Sequence, residues 1–418
     1  MDSPDQGAEG IPLSSVRIKG DSLLVEAKAI GGKFSGRFEN DTTIIGEWFQ
    51  GTGLPLQLKK LSAGEAVAER KRPQTPKPPF PYKSEDVVYF NKNKSIQYGA
   101  TITSPQGAGS FPAIILITGS GQENRDEELF GHKPFAVLAD YLTRKGYVIM
   151  RVDDRGIGQT TGDVKNATSK DFANDVITGL DYLKGLPQVN KAKIGLLGHS
   201  EGGMIAQMVA AQRPDVDFVI MLAGPGLKGM DVLLTQNRAI LAKQGLSAKA
   251  LDSYMELYKS LVPEVSSSDS SAKTRAVRML ENWLAKTPAE TIATATGIKT
   301  EADKKTFLDR FSTWFAAAWT RYFIHYDPDV YVQKMKAKML ALNGEKDVQI
   351  VAGPNLAALK ASLQKGGNKA STVVELKGLN HFFQHCTECT IAEYSELEET
   401  IAPEALETIA AWLRKNVK

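Results

Sequence analysis

Residues 194–203, which read IGLLGHSEGG, give the clearest indication of the fold. Residues 194–197 form a short apolar run typical of a buried strand, and a helical pattern follows from residue 203. Between them lies G-x-S-x-G, centred on Ser200. Small residues two positions before and after the serine permit a sharp strand-to-helix turn that exposes the serine Oγ. The stretch therefore predicts that Ser200 is a nucleophile at the end of a sheet strand.

Further apolar runs, separated mostly by helical patterns, occur on both sides of this turn. Such alternation predicts an α/β fold, a mostly parallel sheet with helices on both faces. About residues 227–326 are helical in pattern and too long for a simple crossover, so we predict a helical cap at the carboxyl edge of the sheet. The expected strands are residues 113–117, 147–150, 194–197, 218–222, 339–342 and 372–376.

The first part of the chain has a different pattern. Residues 14–60 alternate apolar and polar side chains in short runs separated by turn residues, which is typical of an antiparallel β-structure. Residues 72–81 contain enough proline to stay extended. We therefore predict a small β-rich domain over residues 1–62, a proline-rich linker over 63–83 and a catalytic domain over 84–418.

A serine nucleophile requires a histidine base that is oriented by a carboxylate. Of the five histidines, His381 and His385 follow the last expected strand. We choose His381 because the preceding Gly-Leu-Asn segment predicts a loop from which the imidazole can reach the serine. The acid is expected directly after the preceding strand, where Asp347 is the first candidate and Glu345 the second. The order serine, acid, histidine is the one found in α/β-hydrolases.

The tetrahedral intermediate of acyl transfer requires backbone N–H donors for its oxyanion. One is expected from Glu201, directly after the nucleophile. A second is expected from the glycine-rich loop after residues 113–117, where Ser120 is the first candidate and Gly121 or Gln122 the alternatives. The glycines of this loop do not have the spacing of a phosphate-binding or dinucleotide-binding loop.

Five segments together give a more specific resemblance. They are residues 117–121, 151–158, 198–203, 343–347 and 379–381. In these segments the chain resembles bacterial α/β-hydrolases of the prolyl-oligopeptidase and dienelactone-hydrolase branch, close to feruloyl esterases and other carboxylesterases. The resemblance covers about residues 84–418 and implies Ser200, Asp347 and His381 as the catalytic triad. It also implies that the turn at residues 154–156 is structural.

Within this branch a carboxylesterase acting on a small acyl ester is the leading expectation. Related peptidases usually carry a propeller, which the short N-terminal segment cannot build. A thioesterase or an aminopeptidase-like amide hydrolase is the alternative, and a non-enzymatic binding protein a distant one. The aromatic residues Trp314, Trp319 and Phe323 of the expected cap either line an acyl pocket or pack the cap.

Composition excludes several other classes. The 418 residues carry a formal net charge of +3, spread along the chain, and this predicts no nucleic-acid partner. No apolar stretch is long enough for a membrane helix, so we expect a soluble protein, either exported after loss of a signal or cytoplasmic.

No cofactor is expected. His381, His385, Cys386 and Cys389 lie close in sequence but do not have an established zinc spacing, so we predict no metal site. The two cysteines form either a disulfide or two free thiols. The oligomeric state stays open.

Overall fold

A computed structural model describes residues 1, 11–50, 52–60, 71–265 and 271–417. The chain divides into two compact units, one of Met1–Pro73 with Glu128–His132 and the other of Gln74–Glu127 with Lys133–Lys418. Residues 2–10, 51 and 61–62 of the predicted β-rich domain lie outside the described residues, as do residues 63–70 of the predicted linker.

The smaller unit contains a five-stranded antiparallel sheet in which each strand pairs with its neighbours in sequence. Alternation along the strands places Leu23, Val25 and Phe34 in one buried cluster, because successive side chains of a strand point to opposite faces. The N-terminal antiparallel sheet expected from the sequence is confirmed. The strands are β1 (Ser15–Lys19), β2 (Ser22–Ala27), β3 (Gly32–Asn40), β4 (Thr43–Gln50) and β5 (Thr52–Lys59), with a 3₁₀ turn at Lys28–Ile30.

The larger unit is built on an eight-stranded sheet. Its strands are β6 (Lys83–Phe90), β7 (Gln97–Ser104), β8 (Phe111–Ile117), β9 (Val148–Val152), β10 (Val189–His199), β11 (Phe218–Leu222), β12 (Lys338–Gly344) and β13 (Ser371–Leu376). The order across the sheet is β13-β12-β11-β10-β8-β9-β7-β6. Strand β7 pairs antiparallel with both β6 and β9, and the other neighbouring pairs are parallel.

Helices cover both faces of this sheet and bury two apolar cores. Helices α1 (Pro134–Arg144) and α12 (Pro403–Asn416) pack on one face. Helices α2 (Ser169–Lys184), α3 (Glu201–Gln212) and α11 (Ala352–Lys365) pack on the other. Every residue of β11 is buried, as expected for a strand covered on both sides. The predicted α/β-hydrolase architecture is confirmed. A 3₁₀ turn spans Ile391–Ser395.

The interval between β11 and β12 is helical in the structure. Its helices contribute Leu241, Leu261 and Phe315 to the core on the α3 side of the sheet. In the described part of the chain no helix is both long and apolar enough to cross a membrane. The helices of the interval are α4 (Gly229–Lys243), α5 (Ala248–Val265), α6 (Ala272–Lys286), α7 (Ala289–Thr296), α8 (Glu301–Ala316), α9 (Ala318–Ile324) and α10 (Asp329–Val332).

Candidate active site

Ser200 lies at the sharp turn between β10 and α3. Its backbone has φ 53° and ψ −118°, in the positive-φ range that side-chain-bearing residues seldom adopt. The turn fits only without side chains at the flanking glycines. A Cβ on Gly198 would lie 2.0 Å from the carbonyl oxygen of Gly202, and a Cβ on Gly202 would lie 2.0 Å from that of Ile117. The two glycines therefore allow the strained backbone that presents Ser200.

Backbone hydrogen bonds hold the turn in place. The Ser200 N–H donates to the carbonyl of Leu222 at 2.8 Å, and the Gly203 N–H donates to the carbonyl of Ser200 at 2.9 Å. The Ser200 side chain is half-buried. Within the described residues, its hydroxyl and His381 are not joined by a hydrogen bond. Such contacts are often long before substrate binds.

Asp347 and His381 form a buried pair. His381 Nδ1 lies 2.8 Å from Asp347 Oδ2, and both side chains are almost fully buried. The other carboxylate oxygen, Oδ1, accepts the backbone N–H groups of Gln349 and Ile350 at 2.8 and 2.9 Å. The loop after β12 thereby fixes the carboxylate, and the carboxylate fixes the ring of His381.

The other candidates for the acid and the base, Glu345 and His385, form hydrogen bonds outside the Asp347–His381 pair. Glu345 is half-exposed, and its Oε2 accepts the backbone N–H of Gly378 at 3.0 Å. His385 is exposed and pairs with Glu399 and Glu404 at 2.9 and 2.8 Å. Neither of these contacts joins an acid to His381.

The glycine-rich loop after β8 approaches the nucleophile closely. A Cβ on Gly119 would lie 3.5 Å from the Cβ of Ser200. The Gly119 N–H is already occupied, because it donates to Glu127 Oε1 at 3.0 Å. The next residue, Ser120, is exposed. The Glu201 N–H is the first of helix α3, so it has no carbonyl one turn earlier in the helix to pair with.

The side chain of Glu201 links the nucleophile turn to α9. Its Oε1 accepts the indole N–H of Trp319 at 2.8 Å and the hydroxyl of Ser169 at 2.6 Å. Burial raises the pKa of the Glu201 carboxyl, although hydrogen bonds from Ser169, Trp319 and Ser120 oppose the shift. The ring of Trp319 also stacks on Phe323, with centroids 5.2 Å apart. The predicted pocket residues Trp319 and Phe323 therefore lie together beside the residue that follows the nucleophile.

The third predicted pocket residue, Trp314, has a different environment. It is half-buried and packs edge-on against Phe315, with ring centroids 4.9 Å apart. Phe315 in turn contacts Tyr258 and Phe311. Trp314 thus belongs to the aromatic packing among α5 and α8.

Buried carboxyl groups surround the glycine-rich loop. Burial raises the pKa of Asp154 to about 7 even though the Glu123 N–H and the Thr118 hydroxyl donate to it. Burial, together with the neighbouring Glu127 and Asp154, also raises the pKa of Glu123 well above its usual range. Asp154 borders a cavity of about 60 Å³, which has room for a few water molecules but not for a substrate. Next to it, Arg155 pairs with Asp175 at 2.6 Å.

The cysteines are joined in a disulfide between Cys386 and Cys389. Together with Glu393 they are the group of described residues whose donor atoms lie close enough for a metal ion. Zinc binds cysteine as a thiolate, and a disulfide offers none. The donor set therefore does not suit zinc in this oxidised state.

Sequence reasoning missed two residues of this site, His199 and Glu127. His199 Nδ1 lies 2.9 Å from Glu127 Oε1, and its Nε2 lies 3.1 Å from the backbone oxygen of His381. His199 occupies the variable position directly before the nucleophile. Its partners are 72 and 182 residues away in sequence, so no local signal could have identified them.

Two proteins resemble parts of the chain in sequence. Esterase EstD of Thermotoga maritima is 29% identical over 147 residues, which are 35% of this chain and 35% of that protein. The uncharacterized protein PA2218 of Pseudomonas aeruginosa is 25% identical over 130 residues, 30% of this chain and 33% of that protein. The chain thus matches only about a third of the length of these relatives.

Two solved structures resemble the chain in fold. The crystal structure of PA2218 covers 84% of this chain and 98% of its own, with 15% identity and a TM-score of 0.48. That of the Pyrococcus furiosus esterase Pf2001 covers 81% and 92%, with 14% identity and a TM-score of 0.48.

A family model matches a longer part of the sequence than the two sequence relatives do. The model described as X-Pro dipeptidyl-peptidase (S15 family) matches residues 95–381, which include the nucleophile turn, Asp347 and His381. The predicted membership of the α/β-hydrolase superfamily is confirmed. Because the match extends over well more than half of the chain, the chain belongs to the X-Pro dipeptidyl-peptidase (S15) family.

Proposed function

We propose that the chain is a serine hydrolase in which Ser200 is the nucleophile, His381 the base and Asp347 the acid. The observation that carries the proposal is the buried Asp347–His381 pair at 2.8 Å, combined with a serine on a strained strand-to-helix turn. A carboxylate on Nδ1 fixes the tautomer that leaves Nε2 free to accept a proton. The family match over residues 95–381 supports the same assignment.

The proposed reaction proceeds through an acyl-enzyme. Ser200 Oγ attacks the carbonyl carbon of the substrate while His381 Nε2 takes the hydroxyl proton. The N–H groups of Ser120 and Glu201 are proposed to stabilise the oxyanion of the tetrahedral intermediate. His381 then protonates the leaving group, and a water molecule, activated by the same ring, releases the acid and restores Ser200.

The proposed substrates are small carboxylic esters. The partial similarity to an esterase of Thermotoga maritima supports this choice. A second candidate, amide hydrolysis after an X-Pro dipeptide, is favoured by the family match. The same triad serves both reactions, so the surroundings of the site decide between them.

We also propose a role for each part of the chain. Residues 84–418 would carry the reaction, with about residues 227–326 acting as a cap that selects the acyl group. The hydrogen bond from Trp319 on α9 to Glu201 supports a role for this interval at the site. Residues 1–62 would form a separate β-rich domain.

The test is a substrate profile of the purified enzyme. We would measure kcat/KM for p-nitrophenyl esters of graded acyl length, feruloyl esters, acyl thioesters and X-Pro p-nitroanilides, with Ser200→Ala as the control. Ester turnover that exceeds anilide turnover and disappears in the variant is expected. Preference for the X-Pro anilides would replace the esterase assignment, and activity that survives in Ser200→Ala would overturn the proposal.

A further inference from the structure

His199 is buried between two hydrogen-bond acceptors. One ring nitrogen lies 2.9 Å from the carboxylate of Glu127, and the other lies 3.1 Å from the backbone oxygen of His381. His199 and Glu127 are only 5% and 2% exposed. A carboxylate and a carbonyl accept hydrogen bonds but do not donate them, so both ring nitrogens must donate. Only the doubly protonated, cationic imidazole can do so.

Electrostatics favour this charged form. Burial by itself lowers the pKa of His199, but the Glu127 carboxylate and the hydrogen bonds to Glu127 and His381 more than offset it, and the pKa is raised overall. The result is a buried ion pair whose members satisfy each other's hydrogen bonds. Removing one partner would leave the other charged or unpaired in the interior.

The pair joins two loops that act on the same reaction. Glu127 Oε1 also accepts the N–H of Gly119 in the glycine-rich loop. A continuous chain of hydrogen bonds therefore runs from Gly119 through Glu127 and His199 to the backbone of His381. The ring of His199 also lies against the ring of His381, with centroids 4.7 Å apart. His199 also directly precedes Ser200 in sequence, so the chain of contacts connects the nucleophile, the base and the glycine-rich loop.

We propose that His199 is a positioning residue that holds the base loop and the oxyanion loop in fixed geometry around Ser200, an inference that rests on the proposed function. Through the carbonyl of His381 it fixes the backbone that carries the base. Through Glu127 it fixes the turn of Gly119, next to the expected oxyanion donor Ser120. Displacement of a reacting group by about 1 Å can lower the rate by about 100-fold. Substrate affinity depends much less on this placement.

The first experiment measures kcat and KM separately in variants of His199 and Glu127. In His199→Gln and Glu127→Gln we expect kcat to fall by about 100-fold while KM changes less than about twofold. A third variant, His199→Phe, separates ring packing from hydrogen bonding, because it retains a ring of similar shape against His381 but has no N–H groups. It should lose at least as much kcat as His199→Gln. The double variant His199→Gln with Glu127→Gln should lose less than the product of the two single losses, because both act through one chain of hydrogen bonds.

The second experiment needs no variant and therefore does not depend on whether the variants fold. Nitrogen NMR of the wild-type enzyme, labelled with ¹⁵N-histidine and assigned by comparison with the other four histidines, should show protons on both ring nitrogens of His199. An unprotonated ring nitrogen in His199 would overturn the proposal. So would a full kcat in folded His199→Phe. Ester hydrolysis by Ser200→Ala would instead overturn the proposed function, so the two failures are distinguishable.

Discussion

Asp347→Asn is expected to abolish most activity because the structure fixes which way the new amide must point. Oδ1 of Asp347 accepts two backbone N–H groups, from Gln349 and Ile350. In the variant we expect the amide oxygen to stay there, since an NH₂ group would face two N–H donors in that position but only one, the Asn343 amide, in the position of Oδ2. The NH₂ group then faces Nδ1 of His381, 2.8 Å away in the wild type. It donates to that nitrogen, moves the ring proton to Nε2 and removes the base.

The expected loss of kcat is about 10⁴-fold, the effect of the corresponding change in the serine-protease triad, where it reverses the tautomer in the same way. This is about 5 kcal/mol of lost transition-state stabilisation. The assay is steady-state ester hydrolysis, with thermal unfolding to verify the fold. Glu345→Gln is the matched control: its side chain is half-exposed and bound to the Gly378 N–H, so activity should stay within about twofold. If Glu345→Gln is the damaging change and Asp347→Asn is not, the acid has been assigned wrongly.

Two further predictions concern residues around the nucleophile. Trp319→Phe removes the hydrogen-bond donor to Glu201 and reshapes the surroundings of the nucleophile. It should therefore change the ratio of kcat/KM for long and short acyl esters by about 1–3 kcal/mol. The control variant Trp314→Phe should lower the melting temperature alone. Equal ratios in both variants would contradict a pocket role for Trp319. For Asp154, burial raises the pKa from 3.8 to about 7, so the folded state holds its proton more tightly than the unfolded chain. The free energy of unfolding should therefore fall between about pH 4 and about pH 7, by up to about 4 kcal/mol, and urea unfolding of Asp154→Asn should lack this part of the fall.

The sequence predicted the elements whose patterns are local. Apolar runs identified six of the eight strands of the larger sheet, β8 to β13, and the glycines of residues 198–203 identified the turn at Ser200. Strands β6 and β7 were not anticipated. Strand β6 lies at the edge of the sheet: its first four residues, Lys83–Asp86, are polar and exposed, and of its eight residues only Tyr89 is buried. It therefore lacks the apolar run along its whole length that is typical of a strand covered on both faces.

The contacts between distant segments could not be predicted in this way. Glu201 and Trp319 are 118 residues apart, and His199 and Glu127 are 72 apart. Neither pair has a spacing that a helix or strand period would relate. Their proximity follows from the packing of α9 and of the glycine-rich loop around the end of β10. The pairing of the two cysteines was likewise left open, because both a disulfide and free thiols suit that spacing.

Covalent labelling tests whether Ser200 is an activated nucleophile. The enzyme would be treated with a fluorophosphonate, and the adduct located by peptide mass spectrometry in the wild type and in Ser200→Ala. One adduct per chain is expected, on the peptide that contains Ser200, and none is expected in the variant. An adduct on another residue, or an unlabelled wild-type enzyme that still hydrolyses esters, would contradict this assignment.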